Sequence, residues 1–173
     1  MKDVNQKTLI KNISFKGVGL HSGKISNVKL TPADENIGIV FKRMDLRSDN
    51  LINANFKNVT SAKLCTTLNN SSGAAVSTIE HLMAAFYISG VDNVVVEVDN
   101  EEIPIMDGSS VDFINMINET GLKEQNAARK FLMINRKIEF KDGSKVISIE
   151  PSKEGLEVEF QLNYSNDLIG NQK

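Results

Sequence analysis

Residues 77–86 read Ser-Thr-Ile-Glu-His-Leu-Met-Ala-Ala-Phe. Apolar residues recur in this stretch three and four positions apart, at Ile79, Leu82, Met83 and Phe86. That spacing is typical of a helix with one buried face. Gly90 follows at the place where a left-handed glycine commonly ends a helix. The pattern predicts a helix over residues 78–89 that packs its apolar face on a core.

The pair Glu80-His81 places a carboxylate beside an imidazole at the start of this helix. A neutral imidazole is a common metal ligand, and a neighbouring carboxylate can act as a general base on metal-bound water. A structural interpretation also fits. Ser77 and Glu80 have the Ser-x-x-Glu spacing of a capping box, and His81 can be a histidine at the core edge with one hydrogen bond. Spacing and residue type leave both interpretations open.

Three other segments carry glycines or polar residues where a ligand site can form. In residues 17–23, Gly-Val-Gly-Leu-His-Ser-Gly, the glycines tolerate positive φ and close approach of a ligand, and they hold His21 at a turn. An ordinary hairpin turn explains the same residues. Residues 63–67 contain the sole cysteine, Cys65, which is expected to be a buried, unreactive thiol. The third segment spans residues 102–110.

This third segment leads into a second predicted helix. Asp107-Gly108 has the composition of a turn, and Ser109 or Ser110 can cap a helix over residues 111–119. Gly121 is placed to end that helix. This interpretation requires no ligand.

Taken together and in this order, the four segments resemble the zinc-dependent UDP-3-O-acyl-N-acetylglucosamine deacetylases. That family performs the committed step of lipid A synthesis in Gram-negative bacteria. The resemblance is collinear from about Thr8 to the end of the chain and includes Asp92-Asn93 with the valine strand that follows. It implies hydrolysis of the N-acetyl group of UDP-3-O-acyl-N-acetylglucosamine, and it favours the catalytic interpretation of Glu80 and His81.

The resemblance also implies roles for individual residues. In the family, Zn²⁺ polarises the acetyl carbonyl and acidifies its water, while a glutamate takes the proton. Glu80 matches that glutamate, and His81 matches one zinc ligand. His21 is implied to lie near the nucleotide-phosphate side of the substrate, and Leu64 and Cys65 are implied to line the pocket.

A catalytic zinc of this kind normally has three protein ligands, and the resemblance identifies only His81 here. The other family ligands belong to a His-Lys-x-x-Asp motif in a second domain, whereas His21 and His81 are the only histidines in this sequence. Asp107 is interpreted as structural. We therefore expect the remaining zinc ligands outside these 173 residues and an inactive isolated chain. The alternative is a non-catalytic α+β fragment that binds a nucleotide sugar or a partner.

Composition indicates an ordinary globular protein, with 40% hydrophobic residues, 24% charged residues and a formal net charge of −2. Without a basic surplus, nucleic acid is not an expected partner. A single cysteine excludes a disulfide framework and suits the reducing cytoplasm. No apolar run approaches the ~20 residues of a membrane span. We therefore expect a cytoplasmic protein with no stable membrane anchor.

The sequence predicts an α+β fold for residues 1–126, in which a small, mainly antiparallel sheet and two helices form a two-layer sandwich. The predicted strands cover residues 7–15, 26–30, 37–41, 53–59 and 93–98. Valines 94–96 form an unbroken apolar run, which is consistent with a strand buried on both faces. The polar residues 123–129 are interpreted as a connection to a second domain.

Residues 127–173 are implied to open an incomplete second copy of the first domain. The predicted meander has strands over residues 130–140, 145–149 and 156–164, joined at Asp142-Gly143 and Glu154-Gly155. No predicted helix covers its apolar face, so these strands are expected to favour self-association.

Overall fold

The computed structural model describes residues 4–153 and 155–173. The chain divides into two compact units, Met1–Arg129 and Lys130–Lys173. The first unit opens with β1 (Asn5–Leu9), β2 (Ile13–Val18), β3 (Ile25–Pro32), β4 (Ile39–Arg43), β5 (Leu51–Asn53), a 3-10 turn (Phe56–Asn58), β6 (Val59–Ser61), β7 (Thr67–Asn69) and β8 (Ala75–Val76). It continues with helix α1 (Glu80–Ser89), β9 (Val94–Val98), helix α2 (Val111–Thr120) and β10 (Leu122–Ala128).

The main sheet has the strand order β2-β3-β9-β4-β5. Its neighbouring strands are antiparallel, except that β4 and β9 run parallel. On the central strand β9, alternate valines are fully buried, whereas Val95 and Glu97 on the other face are half-buried. Glu97 pairs there with Lys29 and Lys42 of the flanking strands. The prediction that residues 94–96 are buried on both faces was therefore wrong for the second face.

Both helices contribute to one buried cluster together with the main sheet. Phe86 of α1 and Phe113 of α2 are fully buried in it, alongside Phe41 and Val96 of the sheet. The predicted α+β class and its layer of two helices are confirmed. Helix α1 begins at Glu80, two residues later than predicted, and it ends as predicted before a left-handed Gly90 with φ of 78°.

Two predictions about strands in the first unit were wrong. Residues 7–15 do not form one strand. They are divided between β1 and β2, which belong to different sheets and are separated by residues 10–12. Residues 123–129, interpreted as a connection, lie largely in β10, which pairs antiparallel with β1. The predicted boundary after residue 126 falls within this strand. Gln125 is half-buried and donates to the carbonyl of Ala33 at 3.0 Å, so a polar side chain occupies a position where an amphipathic strand usually has an apolar one.

The predicted strand over residues 53–59 is also interrupted. Strand β5 ends at Asn53, and Asn55 Oδ1 accepts the Lys57 amide at 3.0 Å to cap the 3-10 turn. Strand β6 then starts a second sheet with the order β6-β7-β8. Residues 63–66 lie in the connection between β6 and β7. The Thr66 N–H donates to Glu80, which brings this connection to the start of α1.

Asn93 connects separate segments of the first unit and is 1% exposed. Its side-chain amide donates to Gln6 Oε1 and Gln125 Oε1, both at 2.8 Å. Its Oδ1 accepts the Gly38 amide at 2.7 Å, and its carbonyl accepts the Thr8 hydroxyl at 2.6 Å. Truncating the Asn93 side chain therefore removes a hydrogen-bond partner from the Gly38 N–H and from the side-chain oxygens of Gln6 and Gln125.

We expect Asn93→Ala to lower the free energy of unfolding by about 2 kcal/mol, because buried polar groups lose their hydrogen bonds. Urea unfolding near neutral pH, followed by circular dichroism, measures this change. Asn118→Ala, on an exposed position of α2, is the matched control and should stay within about 0.5 kcal/mol of the wild type. Equal stability of the two variants would contradict the prediction.

The second unit contains β11 (Ile138–Asp142), β12 (Lys145–Ile149), β13 (Leu162–Asn163) and β14 (Asn171–Gln172). Strands β11 and β12 pair antiparallel across the predicted Asp142-Gly143 turn. Residues 156–161 take no part in a ladder, and β13 pairs with β14, so the described strands form two separate pairs instead of the predicted three-strand meander. Glu154 of the other predicted turn lies outside the described residues.

Every residue of β11 and β12 is exposed. The prediction that these strands favour self-association remains a prediction. Over the residues that the structure covers, neither helix has the length and apolar character needed to cross a membrane.

Candidate functional site

Glu80 begins α1 but does not cap it. The residue at the N-cap position is Ile79, and no side chain makes a capping hydrogen bond there. Ser77 Oγ instead donates to the carbonyl of Glu101 at 3.1 Å. Glu80 Oε2 accepts the backbone N–H of Thr66 at 3.0 Å. The capping-box interpretation is therefore wrong, and the Glu80 carboxylate is held by a segment outside its own helix.

The hydrogen bond to Thr66 brings the Leu64–Cys65 segment to the start of α1. Leu64 is 84% exposed and has a left-handed backbone with φ of 67°. Cys65 is half-buried, where full burial was expected, and its Sγ lies 3.8 Å from Thr67 Oγ1. An exposed apolar side chain thus lies two residues before the backbone group that orients Glu80.

His21 lies in the loop that connects β2 and β3, which we call the His21 loop (residues 19–24). The Gly19 amide donates to the Lys24 carbonyl at 2.9 Å, and the Gly23 amide donates to the Gly19 carbonyl at 3.0 Å. The hairpin-turn interpretation is therefore confirmed. The His21 side chain is exposed in this loop.

The space that Gly19 leaves free is filled by protein. A Cβ at this position would lie 2.5 Å from Ser22 Oγ and 2.7 Å from the carboxylate carbon of Glu102. Real Cβ atoms do not approach so closely. The glycines of this segment can tolerate close approach of a ligand, but the space at Gly19 accommodates the carboxylate of Glu102.

Glu102 is 1% exposed and binds two segments of the site. It accepts the backbone N–H groups of His21 at 2.9 Å and Ser22 at 2.7 Å, and the Thr78 hydroxyl at 2.9 Å. Burial raises the pKa of this carboxyl, but the hydrogen bonds from Ser22, His21 and Thr78 outweigh burial and lower the pKa to about 2. Sequence patterns assigned Glu102 no role, because its partners are distant in the chain.

Three residues with strained backbones lie in the segments that meet here. Thr78, Leu64 and Met106 have φ of 56°, 67° and 54°, in the left-handed region that non-glycine residues rarely adopt. Such conformations cost about 1–3 kcal/mol each and cluster at functional sites. Thr78 is the most unusual of the three because it is β-branched and buried.

Asp107 and the start of α2 lie near His81. The Ser109 amide and hydroxyl donate to the Asp107 carboxylate, both at 2.9 Å, and lower its pKa, and the His81 side chain adds an electrostatic contribution in the same direction. Ser110 Oγ donates to the His81 carbonyl at 2.9 Å. The imidazole of His81 therefore has an acidic neighbour besides the adjacent Glu80.

All four segments singled out in the sequence are thus connected. Beyond the contacts above, the Ile105 amide donates to the Val18 carbonyl at 3.1 Å and attaches the fourth segment to β2. Two surface concavities of about 560 and 610 Å³ are lined by residues outside these segments. The candidate site is therefore defined by hydrogen bonds among the four segments.

The metal-binding capacity of this site is limited. Within residues 4–153 and 155–173, no three His, Cys, Asp or Glu side chains are grouped so that they could hold a metal ion. A catalytic zinc normally takes three protein ligands. The described residues alone therefore do not fit such a site, although His81 has the residue type of one ligand. What this arrangement can do chemically is accept a proton at Glu80, beside an imidazole.

A family model and curated relatives that match this chain carry the same deacetylase description. The model of the LpxC family, described as UDP-3-O-acyl N-acetylglycosamine deacetylase, matches residues 6–173. A curated relative from Nautilia profundicola, named UDP-3-O-acyl-N-acetylglucosamine deacetylase, is 41% identical over 170 residues, which is 98% of this chain and 57% of the relative. The relatives of the same name from Pasteurella multocida and Geotalea uraniireducens are 42% and 41% identical over 167 residues, 96% of this chain and 54% of each relative. The chain spans about half the length of these relatives.

Proposed function

The chain belongs to the UDP-3-O-acyl N-acetylglycosamine deacetylase family, and from this premise we propose that it supplies the general base, Glu80, for hydrolysis of the N-acetyl group of UDP-3-O-acyl-N-acetylglucosamine. One observation carries the proposal. Glu80 is oriented by the Thr66 N–H and is not used as a helix cap. The same proposal places the reaction in lipid A synthesis in the cytoplasm.

The proposed reaction needs a proton acceptor next to the attacking water. A carboxylate has about four lone-pair sites, so Glu80 can accept the Thr66 N–H and still take a proton. The water oxygen bonds to the acetyl carbonyl carbon, and its proton passes to Glu80 and then to the departing nitrogen. The C–N bond breaks, which releases acetate and leaves a free amine on the sugar.

Substrate contacts are proposed at the two exposed segments beside Glu80. His21 is placed near the nucleotide phosphates, which is supported by its exposure in a loop whose backbone is fixed by Glu102. Leu64 and Cys65 are proposed to line the pocket, which is supported by the exposure of Leu64 and by the attachment of this segment to Glu80.

Acetate release tests the proposed reaction. The assay uses a fused protein in which these 173 residues replace the matching 57% of the Nautilia profundicola relative. We expect the fused protein to release acetate from UDP-3-O-acyl-N-acetylglucosamine, as measured by an enzyme-coupled assay beside the unmodified relative. A folded fused protein that binds the substrate but releases no acetate would favour a non-catalytic nucleotide-sugar-binding module.

We further propose that His81 is one zinc ligand and that the other ligands come from outside these 173 residues. When bound, zinc polarises a carbonyl and acidifies water. One imidazole binds zinc weakly, so the 173-residue chain should retain well below one zinc per chain after mild chelation, whereas the fused protein should retain about one. Elemental analysis measures both values.

His81→Ala should remove the zinc from the fused protein, and His21→Ala, which changes the other histidine, should retain it. Full zinc occupancy in the fused His81→Ala variant would exclude His81 as a ligand. One tightly bound zinc in the isolated chain would show that these residues complete the site without the rest of the relative.

A further inference from the structure

We propose that Glu102 is a positioning residue for Glu80, acting through Thr78 and the segment that leads into α1. The effect of Glu102 on Glu80 is indirect, because its carboxylate accepts the hydroxyl of Thr78, two residues before Glu80, and the chain between them transmits the restraint. The inference rests on the proposed function of Glu80 as the general base. It adds a residue that connects the His21 loop to the catalytic glutamate.

The buried carboxylate of Glu102 joins the His21 loop to the residues that precede α1. Glu102 accepts both consecutive amides, His21 and Ser22, and also the hydroxyl of Thr78, two residues before Glu80. These partners are 81, 80 and 24 positions away in the sequence, respectively. A displacement of Glu102 therefore releases the His21 loop and the residues before α1 together.

The backbone around Glu102 reinforces this connection. The Ser77 amide donates to the Glu101 carbonyl at 2.9 Å, and the Ile103 amide donates to the Ser77 carbonyl at 3.1 Å. Ser77 and Glu102 form a parallel bridge. Main-chain hydrogen bonds to the residues on both sides of Glu102 therefore hold Ser77, the residue that precedes Thr78.

The conformation of Thr78 explains why the side chain of Glu102 is needed as well. A β-branched residue with φ of 56° is a steric outlier and persists only where its surroundings hold it. The hydrogen bond from its hydroxyl to Glu102 is such a restraint. Because Ile79 and Glu80 follow directly, the backbone angles of Thr78 set the direction in which the chain enters α1.

The partners of Glu102 require a carboxylate. All three partners donate hydrogen bonds, and an ionised carboxylate only accepts them. A glutamine would turn an amide NH₂ towards at least one of these donors. The carboxylate also occupies the place where a Cβ at Gly19 would lie, so a side chain at position 19 would displace it.

Amide hydrogen exchange of the 173-residue chain, followed by NMR, tests the proposal without substrate or metal. The N–H of Thr66 reports the position of Glu80, since Glu80 Oε2 accepts it. Glu102→Gln should speed exchange about tenfold or more at His21 and Ser22, which lose hydrogen bonds to a charged group, and at Thr66, because Glu80 is displaced from its N–H. Amides in the β3–β9 ladder should keep their protection.

Two control variants calibrate this readout. Glu80→Ala should speed exchange at Thr66 but leave His21 and Ser22 protected. Glu101→Gln removes a neighbouring carboxylate that reaches the same loop through an exposed ion pair with Lys24, at 3.2 Å, and should leave all three amides unchanged.

Two substitutions at Thr78 test the same proposal if the Glu102→Gln variant does not fold. Thr78→Ser retains the hydroxyl and should keep Thr66 protected, whereas Thr78→Val removes it at nearly the same shape and should speed exchange at Thr66. Faster exchange at His21 and Ser22 with unchanged exchange at Thr66 would overturn the proposal, because Glu102 would then act only on the loop. An equal effect of the two Thr78 variants would overturn it as well.

The failure of this inference is separable from failure of the proposed function. Exchange at Thr66 does not depend on turnover, so an inactive fused protein would overturn the role of Glu80 as a base and leave the exchange result valid. If the fused protein is active, Glu102→Gln should lower kcat more than it raises KM, because a displaced base slows the chemical step.

Discussion

Glu80→Gln in the fused protein should lower kcat for acetate release by about 100-fold or more, the range expected for loss of a general base. Glutamine has nearly the same shape, and its amide oxygen can still accept the Thr66 N–H that orients Glu80. It cannot take a proton from water. The measurement is kcat and KM with UDP-3-O-acyl-N-acetylglucosamine, and KM should change little, because the loss falls on the transition state.

Glu101→Gln is the matched control for this prediction, since it removes one negative charge from an exposed side chain near the same site. Its kcat should equal that of the unsubstituted fused protein. A Glu80→Gln variant that remains within a few-fold of the unsubstituted kcat would leave Glu80 as a structural residue. The Thr66 hydrogen bond would then serve to attach the Lys63–Thr67 segment, and another group would have to act as the base.

Local sequence patterns predicted the parts of this site that depend on local interactions. Helical periodicity placed α1 within two residues of its observed start, and Gly90 marked its end. Glycines marked the His21 hairpin, and an Asp-Gly pair marked the turn before α2. In each case, neighbouring residues along the chain determine the backbone conformation, so a short window of sequence contains the necessary information.

Long-range polar contacts could not be predicted in the same way. Ser77 and Glu80 match a capping box in spacing, but Thr66 and Glu101 from other segments bind their side chains. Strand β10 was missed because its packing relies on Gln125 and not on an apolar alternation. The partners of Glu102 are similarly invisible in sequence, since they come together only when the first unit has folded.

Acidification should destabilise the wild-type chain more than Glu102→Gln. Burial opposes ionisation of Glu102, yet its hydrogen bonds with Ser22, His21 and Thr78 lower its pKa from 4.5 to about 2. A carboxyl whose pKa is lower when folded stabilises fully above its unfolded pKa and loses that stabilisation as pH falls towards the folded value. The shift corresponds to about 3 kcal/mol, which should disappear between about pH 5 and pH 2. Urea unfolding at a series of pH values measures it.

The comparison between variants isolates Glu102 from the other acidic groups. Asp45 and Asp107 also have lowered pKa values and contribute to acid sensitivity in every variant, so only the difference in slope belongs to Glu102. Glu101→Gln should retain the wild-type slope, because its carboxylate is exposed. Glu102→Gln should begin less stable near neutral pH and approach the wild type as pH falls, since acid removes from the wild type the charge that the variant already lacks. Parallel pH profiles for wild type and Glu102→Gln would show that this carboxylate is not stabilised in the folded state.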